Sequence, residues 1–180
     1  MPETKPITTR ASRIDWECPW YRVRRDEISL QDGTDGIYNV LEVTDSVFIV
    51  PVLEDGRIVL IHNYRHTLGG WTWEVPAGSI MQGHSPVESA HEELREEIGG
   101  KAAEMRFLLK ANTMNGIGQQ SAHFFLATGV TLAQPDHEPM EFMTIHPLPA
   151  DDVFQLAISG EMNDAISITA LLLARSHLFS

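Results

Sequence analysis

The chain has 180 residues, 43% of them apolar, and a formal charge of −12 from 13 basic and 25 acidic side chains. That suffices for one sizeable core with no second domain, and the acidic balance excludes a general nucleic-acid binder, which presents a basic face. The single cysteine, Cys18, excludes an intrachain disulfide framework and points to a reducing, cytoplasmic compartment, and no stretch reads as a signal peptide or membrane span.

In chain order, residues 20–30 alternate as a strand, Asp32-Gly33 marks a turn and residues 36–43 read as the antiparallel partner. They form an N-terminal β arm, residues 1–44, ahead of a main body, residues 45–180. In the body, residues 45–53, 57–64, 105–111, 122–128 and 141–145 read as strands, interrupted by a helix beginning near Ser85. Residues 150–159 and 163–177 read as helices, the second with an apolar stripe through Ile166, Ala170 and Leu173. Strands, one central helix and terminal helices predict an α+β fold, a mixed sheet sandwiched in α/β/α layers, without internal repeats.

The central helix carries the chemistry. Ser85 suits the N-cap, Pro86 the first helical position and Glu88 the reciprocal capping carboxylate. Val87, Ala90, Leu94 and Ile98 form the expected buried stripe, and Gly99 or Gly100 the left-handed exit. Glu92, Glu93, Glu96 and Glu97 crowd into six positions, although like charges three or four apart on a helix repel by a few tenths of a kcal/mol. A site for a hard divalent cation, which takes oxygen ligands, explains that crowding better than a stability-selected surface. At about 100° per residue, Glu97, Glu93 and Glu96 fan out in that order from the edge of the stripe.

These residues resemble the Nudix box: Gly, five residues, Glu, seven residues, Arg-Glu-apolar-any-Glu-Glu-any-Gly-apolar. Gly78, Glu93, Leu94, Glu96, Glu97 and Gly99 match it. Three positions depart: His84 stands at the first Glu, Glu92 at the Arg and Gly100 at the last apolar residue. His84 and Glu92 are expected to form a reversed pair, with Arg95 taking over part of the neutralisation. The run from Ile58 to Ile80, with its Tyr64-Arg65 pair leading into Glu74-Val75-Pro76-Ala77-Gly78, is similar to the ADP-ribose pyrophosphatase and nucleoside diphosphate sugar hydrolase branch. So are the closing turn and helix from Ile158, and the β arm resembles the extra strands through which those enzymes dimerise.

The resemblance implies metal-dependent hydrolysis of a pyrophosphate linkage in ADP-ribose or a nucleoside diphosphate sugar, by a homodimer. Glu93 and Glu97 would ligate Mg²⁺ or Mn²⁺, the carbonyl of Ala77 would add a backbone oxygen, and Glu96 would ligate metal or position water. The general base would come from the loop past the box, where Glu138 is favoured over Glu141 because Glu141 adjoins the next strand; His137 is a weaker candidate. Arg65, with Glu74 beside it in the motif, would contact substrate, since a guanidinium suits bidentate phosphate recognition. Trp20 is the first choice for stacking on the base, ahead of Tyr21, Trp71 and Trp73. The loop at residues 113–120 resembles the branch's active-site loop but lacks its proline and acid.

Two other chemistries fail on spacing. His91-Glu92-Glu93-Leu94-Arg95 opens like a helical zinc motif, but its fifth residue is Arg where His is needed. Cys18 has no nucleophile motif around it, and a small buried thiol is the expectation. The competing reading is a Nudix-fold protein that binds or senses a nucleotide sugar with weak or no catalysis, because two box residues have changed.

Overall fold

A computed structural model describes residues 5–137 and 140–178. Its elements are β1 (Ile7–Glu17), β2 (Tyr21–Leu30), β3 (Asp35–Val43), β4 (Ser46–Leu53), β5 (Ile58–Arg65), β6 (Gly70–Glu74), β7 (Ala77–Ser79), α1 (Pro86–Ile98), β8 (Gly100–Lys101), β9 (Glu104–Asn112), β10 (Gly118–Gln119), β11 (Ser121–Leu132), β12 (Met143–Leu148), α2 (Ala150–Ser159) and α3 (Ala165–Leu178). They fall into two compact units. One takes in the residues up to Thr44 together with Asn112–Ser121; the other takes in Asp45–Ala111 and the residues from Ala122 on.

The first unit is a sheet in the order β1-β2-β3-β10, antiparallel except for the parallel β10 edge. The sequence pass missed β1, which is exposed throughout and mostly polar, with Ile7, Ala11, Ile14 and Trp16 too scattered to give a sustained apolar alternation. Its pairing with β2 runs from Ile7↔Leu30 to Glu17↔Arg22 with two register shifts. The predicted turn stands, with Gly33 at φ 85° and the Thr34 amide donating to Asp32 Oδ1 at 2.9 Å. A polar network crosses the sheet: Asp26, 5% exposed, accepts from Ser12 Oγ at 2.7 Å and from Arg24 Nε at 2.8 Å, and Glu42 takes both Arg22 and Arg24.

The second unit is built on a mixed sheet whose central order is β12-β5-β4-β11-β8, with β6 on β5, β7 on β4 and β9 on β11. Strands β4 and β11 are parallel, with Phe48 opposite Phe124 and Val50 opposite Leu126. These strands are apolar on both faces, as a sheet covered on both sides requires. Val47, Ile49, Val59, Ile61, Phe125 and Ala127 pack against Ala90, Leu94 and Ile98 of α1. Val50, Val52, Ile58, Leu60, Phe124 and Leu126 pack on the other face with Val153, Phe154, Ala170, Leu171 and Ala174 of α2 and α3. Each fully buried Leu, Ile or Val contributes about 1.5–3 kcal/mol. The fold is thus the predicted α/β/α sandwich.

Local details differ from the sequence pattern. In α3 the buried residues are Ser167, Ala170, Leu171 and Ala174; Ile166 and Leu173 are only partly buried against that core, because a helix apolar nearly all round leaves tertiary packing to choose its inner face. In α1, Val87 is 40% exposed and Ser89 is buried in its place, its hydroxyl accepting the Met81 amide at 3.3 Å. The last strand begins at Met143 rather than 141. No described helix is long and apolar enough to cross a membrane.

Candidate active site

The site is assembled where α1 crosses β7. Ser85 caps α1 with the reciprocal Glu88 bond in place, and Gly99 ends it in the left-handed region at φ 63°, so both helix ends are where local residues predict them. β7 runs antiparallel to β4, with Gly78 opposite Val47, which brings its backbone under the acidic flank of α1. A Cβ added at Gly78 would lie 2.0 Å from Glu93 Oε1. Only glycine lets the strand approach that carboxylate, which is the physical reason for a glycine so far ahead of the helix.

Burial follows the predicted fan. Glu97 is 5% exposed, Glu93 and Glu96 are half-buried, and the Glu92 side chain is 33% exposed. Glu97 accepts the Ala77 amide at 2.8 Å. Its carboxyl is nonetheless held well above the usual range, first by burial and then by the negative charges of Glu93 and Glu141, with the Ala77 amide and Arg65 opposing. Ala77, Gly78, Glu93, Glu96, His137 and Glu141 line one cavity of about 540 Å³. A larger cleft of about 610 Å³ between α2 and α3 is lined by Phe154, Ile158, Ile168 and Leu172 and contains none of these glutamates.

Glu141 stands in the cavity wall, two residues before the last strand. Glu138 lies outside the described residues. The carbonyls at the end of α1 hold the chain that leads toward both: the Asp136 amide donates to Glu96 O at 2.9 Å, and His137 Nε2 lies 2.6 Å from Glu97 O. No sequence motif marks Asp136 as a neighbour of α1; its contacts depend on β11 ending beside the helix terminus.

The altered box positions come together. His84 Nδ1 lies 3.4 Å from Glu92 Oε2, and Arg95 reaches Glu96 at 2.6 Å, Asp136 at 3.6 Å and Glu92 at 3.8 Å. Arg65 donates through Nε to Glu74 Oε1 at 2.8 Å and through Nη2 to Oε2. Glu74, 6% exposed, also accepts from Asn63 at 3.3 Å, so this carboxylate is spent on holding Arg65, whose own side chain is 47% exposed. Asn63 was not picked out from sequence, lying as it does in a strand of apolar neighbours.

Trp20 belongs to the first unit, where it is 75% exposed and lines a cavity of about 410 Å³ with Cys18, Tyr21, Arg22 and Glu42. Tyr21 packs on Trp16, and Trp71 and Trp73 flank His62, leaving Trp20 the freest face. Cys18 is half-buried rather than buried, its thiol 3.4 Å from Tyr21 O.

The oxygen donors of Glu93, Glu96, Glu97 and Ala77 suit a hard divalent cation. Among the described residues no three His, Cys, Asp or Glu side chains converge into a ready cage.

Comparison with known proteins agrees. A family model described as NUDIX domain matches residues 43–166. The chain is 32% identical over 155 residues to the ADP-ribose pyrophosphatase of Mycobacterium tuberculosis, covering 84% of this chain and 75% of the relative. It is 25% identical over 148 residues to the ADP-ribose pyrophosphatase of Bacillus subtilis, covering 81% and 80%. A solved structure titled as an ADP compounds hydrolase superposes with a TM-score of 0.86 at 21% identity, covering 99% of this chain and 97% of that one. With its glycine-backed glutamates on α1 and this family match, the chain belongs to the Nudix family, in the ADP-ribose pyrophosphatase branch, and is a Nudix pyrophosphohydrolase.

Proposed function

We propose that the chain hydrolyses the pyrophosphate bond of ADP-ribose or a nucleoside diphosphate sugar, releasing a nucleoside monophosphate and a sugar phosphate. The observation that carries this reading is the buried Glu97 beside Glu93, which is packed on Gly78, with Glu141 charged nearby. Glu93, Glu96, Glu97 and the Ala77 carbonyl would hold Mg²⁺ or Mn²⁺. Such a cation neutralises the diphosphate and lowers the pKa of bound water. The protein's share is placement. Gly78 lets Glu93 sit flush on β7, the Ala77 amide orients Glu97, and Glu141 or Glu138 accepts the proton of the attacking water. Arg65, held in a fork by Glu74, is left a partly exposed guanidinium for the substrate's phosphates. Trp20 offers an open ring to the base.

A homodimer through the β arm is part of the reading, supported by the exposed Ile7, Ile14, Trp16, Ile37 and Tyr38 of β1 and β3. So is a cytoplasmic setting, consistent with a single cysteine.

One observation favours the competing reading, a catalytically weak or inactive nucleotide-sugar binder: Arg95 already sits 2.6 Å from Glu96, so one of the three carboxylates has a cation of its own. The test is a panel of ADP-ribose and nucleotide sugars with Mg²⁺, with Mn²⁺ and with chelator, followed by phosphate release after added phosphatase. Turnover of one substrate that chelator abolishes supports the hydrolase. Tight binding of one with turnover of none favours the sensor. If ADP-ribose is cleaved, the products are AMP and ribose 5-phosphate.

A further inference from the structure

We propose that His137 is a positioning residue: its ring holds residues 133–137 against the last turn of α1 and thereby sets the places of Glu96 and Glu97. The inference rests on the hydrolase reading above and assigns a role that the motif does not contain.

The last carbonyls of any α-helix have no partner within the helix. In α1 the Gly99 amide takes those of Leu94 and Arg95. The next ones are met by the segment after β11: the Asp136 amide donates to Glu96 O at 2.9 Å and the Ala133 amide to Gly99 O at 2.8 Å. The carbonyl of Glu97 is met by a side chain, His137 Nε2 at 2.6 Å. A carbonyl oxygen only accepts, so that ring nitrogen carries the hydrogen and donates it.

Two further observations make this a built contact. A Cβ at Gly99 would lie 2.2 Å from Ala133 O, so the segment packs directly on the backbone of the helix end. Arg95 Nη1 lies 3.6 Å from Asp136 Oδ2, a charge pair across the same seam. The turn so fixed is the one the chemistry uses: it carries Glu96 and Glu97, and Glu96 lines one cavity with His137, Glu93 and Glu141. Release of the ring frees that turn. A displacement of about 1 Å at such groups costs on the order of 100-fold in rate.

The test compares His137→Ala and His137→Gln in the full chain, the glutamine offering an amide donor at similar reach. On whichever substrate the wild type cleaves, Ala lowers kcat roughly 10- to 100-fold with KM within about threefold, and Gln recovers most of the loss. Independently of activity, the backbone amide of Asp136 exchanges at least about tenfold faster in the Ala variant, measured without metal or substrate, as local opening requires. The proposal is overturned by kcat within about twofold of wild type, by a loss carried in KM, or by Gln being as impaired as Ala. Unchanged Asp136 exchange overturns it equally. A wild type that cleaves nothing on the panel overturns the hydrolase reading instead, and the exchange measurement then decides by itself whether His137 holds the segment.

Discussion

His84 and Glu92 lie on the two sides of the box's altered seam, with Nδ1 3.4 Å from Oε2. The loop before α1 is thus tied to the second turn of the helix by a histidine and a glutamate, at the positions where the family motif has a glutamate and an arginine. Arg95, one turn on, touches Glu92, Glu96 and Asp136, so positive charge returns to the cluster from a neighbouring position. Both partners are about one-third exposed, 39% and 33%, so the pair is worth little by itself. A double-mutant cycle of His84→Ala and Glu92→Gln, followed by urea unfolding, is expected to give a coupling of about 0.5 kcal/mol. Strictly additive effects would show two independent substitutions.

Gly78→Ala is expected to act as a catalytic lesion although it adds one methyl group far from α1 in sequence. The added Cβ would lie 2.0 Å from Glu93 Oε1, so Glu93 has to leave its place. We expect kcat to fall on the order of 100-fold, close to the effect of Glu93→Gln, and the double variant to be no worse than either alone. Steady-state kinetics of the three proteins checks this.

Glu141→Gln and Glu138→Gln separate the two candidates for the base. Glu141 lines the cavity and its charge raises Glu97, so its amide variant is expected to lose about 100-fold or more in kcat, within the usual contribution of general base catalysis. Full activity in Glu141→Gln with loss in Glu138→Gln would return the role to Glu138.

Arg65→Ala leaves Glu74 buried with only Asn63 as partner, its carboxylate side chain being 8% exposed. The expected outcome is a loss of about 1–3 kcal/mol in unfolding free energy together with a raised KM. Arg65→Ala combined with Glu74→Gln should recover stability and leave KM high, which separates the structural part of the ion pair from substrate contact.

Asp26 provides a pH-dependent readout in the β arm. Its carboxyl is held below the usual range, first by the hydrogen bond from Arg24 and then by that from Ser12. A depressed folded-state value means that the unfolded chain binds the proton more readily. The stabilisation is therefore present above the unfolded pKa, about 3.9, and is lost as pH falls through the folded value. Acid unfolding followed by tryptophan fluorescence is expected to show a shallower pH dependence in Asp26→Asn than in wild type; an unchanged profile would remove Asp26 from the linkage.

Much of the site was legible because α1 is a local object. Ser85, Pro86, Glu88 and Gly99 act on residues within four positions, and the 3.6-residue period alone placed Glu97 nearest the buried stripe, with Glu93 and Glu96 half-buried beside it. Ala150–Ser159 was legible as a helix for the same reason. Val87 was misassigned to the buried stripe, where Ser89 is buried instead, because positions at the edge of a stripe are separated only by what packs on them, here the Met81 amide. β1 was invisible because a fully exposed, mostly polar strand is defined by its partner's hydrogen bonds and carries no sustained apolar alternation. The last strand, read from residue 141, begins at Met143, so Glu141 precedes it.

The sequence alone pointed to a cation site on the glutamate flank and carried the family resemblance and the layer order, since caps, helix period and apolar runs are set by neighbours a few residues apart. Only the tertiary structure decided that His84 meets Glu92, that Arg65 is gripped by Glu74, that Gly78 lies under Glu93 and that His137 closes the end of α1. Those pairs are 8, 9, 15 and 40 residues apart, and whether they touch depends on strand register and on where β11 ends, which no local propensity encodes.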